Sequence, residues 1–260
     1  MKTSSLRAMI ANRLRRKSLY CRADYWDAKA AEYDEQTASW WPNGILSSLH
    51  RKELRRIIDT WLENVAGLRV LDLGCGTGTI SRHLAARGAI VHGVDFSSAA
   101  IKVAEQLNAA DAGSAITYEV GSLHDLETNQ LFDAVITVGV LTIACRTGQE
   151  LDQALQRIKS SVVPGGRILL IEPVHQGPLH RVLRMGRRQF LTHVTAAGLE
   201  VEAQEPLCCW PARLLVGYVR LPGWITRPVY WIGDVIMRTC RMRWLGDYLA
   251  IRVVRPPNHS

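Results

Sequence analysis

The chain has 260 residues, with 32 lysines and arginines against 24 acidic side chains and a formal net charge of +8, and its pI is about 9.4. Its 47% hydrophobic content is enough to bury a sizeable core in one large domain or two small ones, which excludes a disordered polar chain. The basic balance favours acidic partners (nucleic acid, an anionic membrane surface or an anionic substrate) without choosing among them.

Residues 1–23 read as a basic amphipathic segment. Lys2, Arg7, Arg13, Arg15, Arg16, Lys17 and Arg22 all precede the first acid, Asp24. Leu6, Met9, Ile10 and Leu14 stand at helical spacing among them. There is no apolar run of the ~18 to 20 residues that a bilayer span needs, and no long apolar stretch of a secretory signal. A cytoplasmic location is expected, with or without contact at the inner membrane face. An arginine-rich, acid-free start also resembles a mitochondrial presequence, so that alternative stays open. The six cysteines form no CxxC pair and no metal spacing, so they are expected to be reduced thiols, and no metal site is expected.

Helices are predicted over 24–40 and 44–64, the second with Leu46, Leu49, Leu54, Ile57, Ile58, Trp61 and Leu62 as its apolar positions. A regular alternation follows, with strands at 68–73, 90–94, 116–120, 133–138 and 167–171 and helices at 78–87, 97–108 and 149–162. Gly88 sits where a helix stop is expected, and "VPGG" at 163–166 reads as the turn before the fifth strand. A helix near 187–197, a strand at 199–204 and a final strand in "DYLAIRVVRP" extend the pattern. That last strand is expected to be antiparallel at the sheet edge. The pattern implies an α/β fold, a doubly wound and mostly parallel sheet with helices on both faces.

The stretch "VLDLGCGTGT", 70–79, places a glycine turn between the first strand and a helix. No Lys follows as a Walker loop requires, and the glycines run Gly74, Gly76, Gly78 as GxGxG rather than the GxGxxG of a dinucleotide loop. Asp72 beside a pyrophosphate would add ~1 kcal/mol of repulsion at 4 Å even in water-like screening. A ligand with an ammonium group would welcome that acid, and the glycines would let it approach the backbone closely. Asp95 ends the second strand in "VHGVDFSS", 19 residues after Gly76, where a carboxylate can accept both hydroxyls of a ribose.

Together "VLDLGCGTGT" and "GVDFS" resemble the class I S-adenosylmethionine-dependent methyltransferases, over roughly residues 25–205. The resemblance implies a seven-stranded sheet with S-adenosylmethionine across the carboxyl ends of the strands. It implies that Asp72, Gly74, Gly76 and Gly78 line the methionine end, that Asp95 holds the ribose, and that Phe96, with Ser97 beside it, flanks the adenine. Ser122 and Leu123 would meet the adenine edge, with Ser122 where many members carry Asp. Val138 would face the cofactor from the end of the fourth strand. On this reading 24–260 is the methyltransferase domain.

"ASWWPNGILSSLH" and the following "RRI" are similar to the ubiquinone-biosynthesis O-methyltransferase group, which implies Arg56, with Arg55 as rival, as partner of the cofactor's carboxylate. The magnesium-protoporphyrin methyltransferases are similar over the first half. After the fourth strand the chain departs from the ubiquinone group, whose acids and His for metal are replaced by "VGVLTIACR". The [DNS]PP[YF] step of amine methyltransferases is missing, and so is a Pro-Cys step, so nucleic acid is disfavoured. A general base is expected in "IEPVHQGPLH", from Glu172, His175 or His180, because a base near neutral pH suits a hydroxyl acceptor.

Residues 206–246 form an insert in which Arg213, Arg220, Arg227 and Arg241 recur in steps of seven, with Asp234 in the missing place, among Trp210, Trp224, Tyr230 and Trp231. Pro222 and Pro228 are expected to break any continuous helix. Two readings stand: a cap on the acceptor pocket with arginines outward, or short amphipathic pieces on an anionic membrane. The expected activity is methyl transfer, at oxygen, to a hydrophobic small-molecule or lipid-linked acceptor. The alternatives are an RNA or protein methyltransferase and a non-catalytic cofactor-binding module.

Overall fold

The computed structural model describes residues 14–31, 41, 43–109, 115–126, 130–175, 180–219, 221–240 and 242–257. The expected helix before residue 14 and the second half of the one predicted over 24–40 lie outside these. The described residues begin with α1 (Arg16–Leu19), α2 (Ala23–Ala31) and α3 (Gly44–Trp61). Then come β1 (Arg69–Leu73), α4 (Thr79–Ala85), β2 (Ile90–Asp95), α5 (Ser98–Ala109) and β3 (Ile116–Val120). β4 (Phe132–Val138), α6 (Leu141–Ala144), α7 (Gly148–Ser161), β5 (Val162–Glu172) and α8 (Arg187–Ala196) follow. The chain closes with β6 (Glu200–Cys209), α9 (Trp210–Val216), α10 (Gly223–Thr239) and β7 (Gly246–Val254).

The helix starts have local causes. The Asn43 side chain accepts from the amides of Ile45 and Leu46, 3.1 and 3.2 Å away, and caps α3. Thr147 caps α7 through the Glu150 amide at 3.2 Å. Each cap satisfies donors that the first helical turn leaves open.

The strands form one seven-stranded sheet in the order β3-β2-β1-β4-β5-β7-β6. β1 to β5 are mutually parallel, and β7 runs antiparallel to β5 and β6. β7 therefore lies inside the sheet, and β6 forms the edge predicted for it. The reason is apolar density: Leu249, Ala250, Ile251 and Val253 are all buried, and only an interior strand covers so continuous a run. "VPGG" is not a separate turn but the start of β5, where Val162 pairs with Phe132 across a register shift and Gly165 takes φ +79°.

Alternating strand residues feed two cores. Leu71, Leu73, Val135, Ile168 and Leu170 pack on one face with α7 and α8. Val70, Ala134, Ile136, Leu169 and Ile171 pack on the other with Leu46, Leu54 and Ile57 of α3.

The insert proper begins at Trp210, since β6 continues to Cys209. Pro222 caps α10, and Pro228 lies inside that helix without ending it. Its missing N–H deprives only the carbonyl of Trp224 of a helical partner, and Trp224 is solvent-exposed. Arg213 is not outward but fully buried.

Candidate active site

The β1–α4 turn holds three glycines at positive φ, 75° at Gly74, 55° at Gly76 and 76° at Gly78. They differ in what surrounds them. A Cβ at Gly74 would stand 2.2 Å from Val140 Cγ2, and one at Gly78 would stand 2.3 Å from the Tyr118 hydroxyl. At Gly76 a Cβ would meet nothing within 4 Å. Gly74 and Gly78 therefore serve close packing within the protein, while Gly76 leaves its Cα open to a ligand.

Asp72 lies buried beneath this turn, its Oδ2 accepting from the Ser81 hydroxyl at 2.6 Å. Burial pushes its pKa up to about 6; the Ser81 bond opposes the rise and the charge of Asp95 adds to it. Asp95 is clamped from both sides, Oδ2 accepting from the Gly76 amide and Oδ1 from the Ser97 amide, each at 2.9 Å. Burial raises its pKa too, against those two amide bonds. Each oxygen keeps a lone pair that the clamp does not use.

The other predicted cofactor residues divide. Phe96 is half-buried beside Asp95. Ser122 caps the 3-10 turn Leu123–Asp125 by accepting from the His124 amide at 3.1 Å, and Leu123 is buried. Val138, half-buried, packs on the α3 core. Ser97 is drawn away from a ligand role: it is fully buried, and its hydroxyl donates to Asp27 of α2 at 2.6 Å. Its contribution is the amide that holds Asp95. Arg56 is a correction. Its guanidinium pairs with Glu205 of β6, and with Glu53 at 2.9 Å. β6 is four strands from β1 in the sheet, about 19 Å at ordinary strand spacing, so Arg56 is turned away from the glycine turn. Arg55 is exposed on the same helix.

Two of the three candidate bases are engaged elsewhere. Glu172 is fully buried and accepts from the Thr137 and Thr142 hydroxyls and from the amides of Val140, Leu141 and Thr142, at 3.0 to 3.1 Å. These bonds use its lone pairs to shape the exit of β4, so it is a positioning group and not a base. His180 contacts the Arg16 guanidinium, 2.6 Å from its Nε2. A cation bonded there occupies the lone pair a base would need.

His175 is placed differently. It follows β5, and its Nε2 lies 2.9 Å from Oδ1 of Asp247, the second residue of β7. Asp247 is fully buried, and its Oδ2 lies 3.1 Å from Nη1 of Arg213, itself fully buried. Burial opposes ionisation of Asp247, but the Arg213 charge and the His175 bond outweigh it and pull its pKa down to about 2. An ionised carboxylate only accepts, so Nε2 of His175 carries the hydrogen of this bond, which in the neutral ring leaves the lone pair on Nδ1. The sequence reading missed Asp247 and Arg213. The only signal available was an acid at the start of the final strand.

S-adenosylmethionine fits the residues of the turn. Buried Asp72 and half-buried Asp95, both with raised pKa values, have no hydrogen-bonded cation among the described residues, and Gly76 opens the space beside them. Asp72 suits an ammonium and Asp95 a ribose; neither suits a phosphate.

Comparison with known proteins agrees. A family model described as "Methyltransferase domain" matches residues 64–205. A ubiquinone biosynthesis O-methyltransferase of Haemophilus ducreyi is 32% identical over 120 residues, 43% of this chain and 50% of that protein. The chain thus spans about half the length of this curated relative. The magnesium protoporphyrin IX methyltransferase of Synechocystis PCC 6803, solved with bound S-adenosylmethionine, superposes with a TM-score of 0.59 at 17% identity, covering 94% of this chain and 97% of that one. The [4+2]-cyclase SpnF superposes at 0.57 with 19% identity, covering 80% and 82%. With a family match over more than half its length, a seven-stranded sheet of this order and an acid-flanked glycine turn, the chain belongs to the methyltransferase domain family, of the class I S-adenosylmethionine-dependent kind.

Proposed function

We propose that this chain moves the methyl group of S-adenosylmethionine to an oxygen of a hydrophobic small-molecule or lipid-linked acceptor. The observation that carries the choice of oxygen is the His175–Asp247 pair. β5 lies two strands from β1, about 10 Å across the sheet, a separation that leaves room for an acceptor between the pair and the glycine turn. When bound, S-adenosylmethionine supplies an electrophilic methyl on a sulfonium and departs as a neutral thioether that keeps the carbon–sulfur electron pair.

The chain's residues do the rest. Asp72 and Asp95 hold the donor's amine and ribose, and Gly76 gives it room. Asp247 holds Nε2–H of His175, so Nδ1 accepts the proton of the acceptor hydroxyl as the oxygen takes the methyl. The charge that develops on the imidazole faces an ionised carboxylate and is stabilised there. Positioning by the insert supplies the remaining rate advantage. The relative named as an O-methyltransferase supports oxygen as the methylated atom.

The test is a radiolabelled methyl-donor assay against a cell lipid extract and an RNA pool. Label in the organic phase, reduced about 10²- to 10⁴-fold in kcat by His175→Ala, is the expected result. Label in RNA would replace this reading with a nucleic-acid one. Donor binding without transfer to any fraction would leave a cofactor-binding module.

A further inference from the structure

Most of the large apolar side chains left in solvent among the described residues belong to the segment between β6 and β7. Trp224 is 76% and Trp231 65% exposed, and Ile232, Val235 and Ile236 are exposed with them. All five lie on α10. At 100° per residue, Trp224, Trp231 and Val235 fall on one line of that helix, with Ile232 and Ile236 along one side. Arg227 and Arg238, both exposed, fall along the other side. The only acid of the helix, Asp234, sits beyond that border, and Arg238 is bridged to it and to Glu53 and Glu205, so the outward positive charge of the border rests on Arg227.

The opposite face of α10 is fully used. Thr226, Gly233 and Met237 are buried, and a Cβ at Gly233 would stand 2.9 Å from the Cβ atoms of Cys209 and Ala212. The helix is therefore held flat on the protein by one face and presents tryptophan and branched aliphatics, bordered by arginine, on the other. Neighbouring Leu214, Leu215, Val219 and Trp244 are exposed as well.

Charge chooses the occupant. A second copy of a chain with net charge +8 would bring like charge to the arginine border, whereas an anionic lipid surface complements it. Tryptophan beside arginine is the composition of a helix that lies in the headgroup boundary. Among the described residues no helix is long and apolar enough to cross a membrane, so the contact is a surface one. We propose that α10 docks on an anionic bilayer, its Trp224–Trp231–Val235 line in the headgroup region and Arg227 at the lipid phosphates.

The test is flotation of the full chain with vesicles of phosphatidylcholine alone and of phosphatidylcholine mixed with phosphatidylglycerol. Wild type is expected to float with the mixed vesicles and to be released by salt. Trp224→Asp with Trp231→Asp should lower the bound fraction about tenfold. Arg227→Gln should weaken binding about fivefold, on the anionic vesicles only. Both variants change exposed side chains, and unchanged circular dichroism melting confirms that they fold. Equal flotation of wild type and the tryptophan variant would overturn the proposal. So would absence of wild-type flotation combined with a dimer, seen by sedimentation velocity, that the tryptophan variant dissolves; that result would assign the face to a second copy.

Discussion

At the scale of single residues, the glycines of the β1–α4 turn separate folding from binding. Gly76→Ala places a Cβ in open space, so the strain of a positive φ is its main penalty, about 1 kcal/mol. It should melt close to wild type while losing about tenfold or more in donor affinity by calorimetry. Gly74→Ala drives a methyl into Val140 and should lower stability by about 2–3 kcal/mol in urea unfolding. Equal effects of the two would show that the open space at Gly76 is not where the donor approaches.

Asp247 allows a second experiment at this scale. Asp247→Asn cannot hold Nε2–H of His175 as a charged acceptor, and it leaves Arg213 without its counter-charge. The first effect should reduce kcat about 10²-fold or more while KM for the donor changes little. The second should destabilise the fold by about 3–5 kcal/mol. A readout free of turnover is the ¹⁵N spectrum of His175, which in wild type should report hydrogen on Nε2. Hydrogen on Nδ1 instead would remove the base from the proposed chemistry.

At the scale of elements, Glu172 shows how one buried acid sets a loop. It gathers donors from Thr137, Val140, Leu141 and Thr142 and so ties the end of β5 to the exit of β4. Glu172→Gln turns an NH₂ toward those donors and should cost about 2–4 kcal/mol in urea unfolding, with weaker donor binding because Val140 also packs on Gly74. This acid reads in the sequence as a base because the motif after a fifth strand carries no information on lone pairs already used. Elements with a local signature were legible: β1 to β4 and α7 follow apolar periodicity and caps. Elements decided by long-range pairing were not. Nothing near β7 says that it slots between β5 and β6, and nothing near Arg213 says that its place in a seven-residue series ends inside the protein on Asp247. Arg56 was misplaced for the same reason, since Glu205, which captures it, lies 149 positions away.

At the scale of the whole molecule, opposed titrations shape the pH response. Asp72, raised to about 6 by burial, binds its proton more tightly folded than unfolded, so its contribution falls as pH rises from about 4 to 6. His50, buried between the rings of Trp41 and Tyr248, is lowered to about 4 by burial. It binds its proton less tightly when folded, so its contribution rises over about pH 4 to 6.5. These two slopes oppose each other across that window, and Asp95 and Glu172, also raised by burial, add to the falling one. Asp72→Asn should remove one falling contribution, matching wild type near pH 4 and exceeding it by up to about 2 kcal/mol at pH 7, while it abolishes donor binding. Urea midpoints taken across the window check both signs.

The interior position of β7 has a consequence for assembly in time. During synthesis β1 to β5, with the glycine turn and both of its acids, leave the ribosome well before Asp247 is made. β6 cannot join the sheet directly, because its only neighbour among the described strands is β7. The donor-binding half is thus able to form while β6 waits, and a late strand closes the gap and delivers the carboxylate that orients His175. A nascent chain arrested before residue 246 should already hold the methyl donor, yet be unable to pass the methyl on.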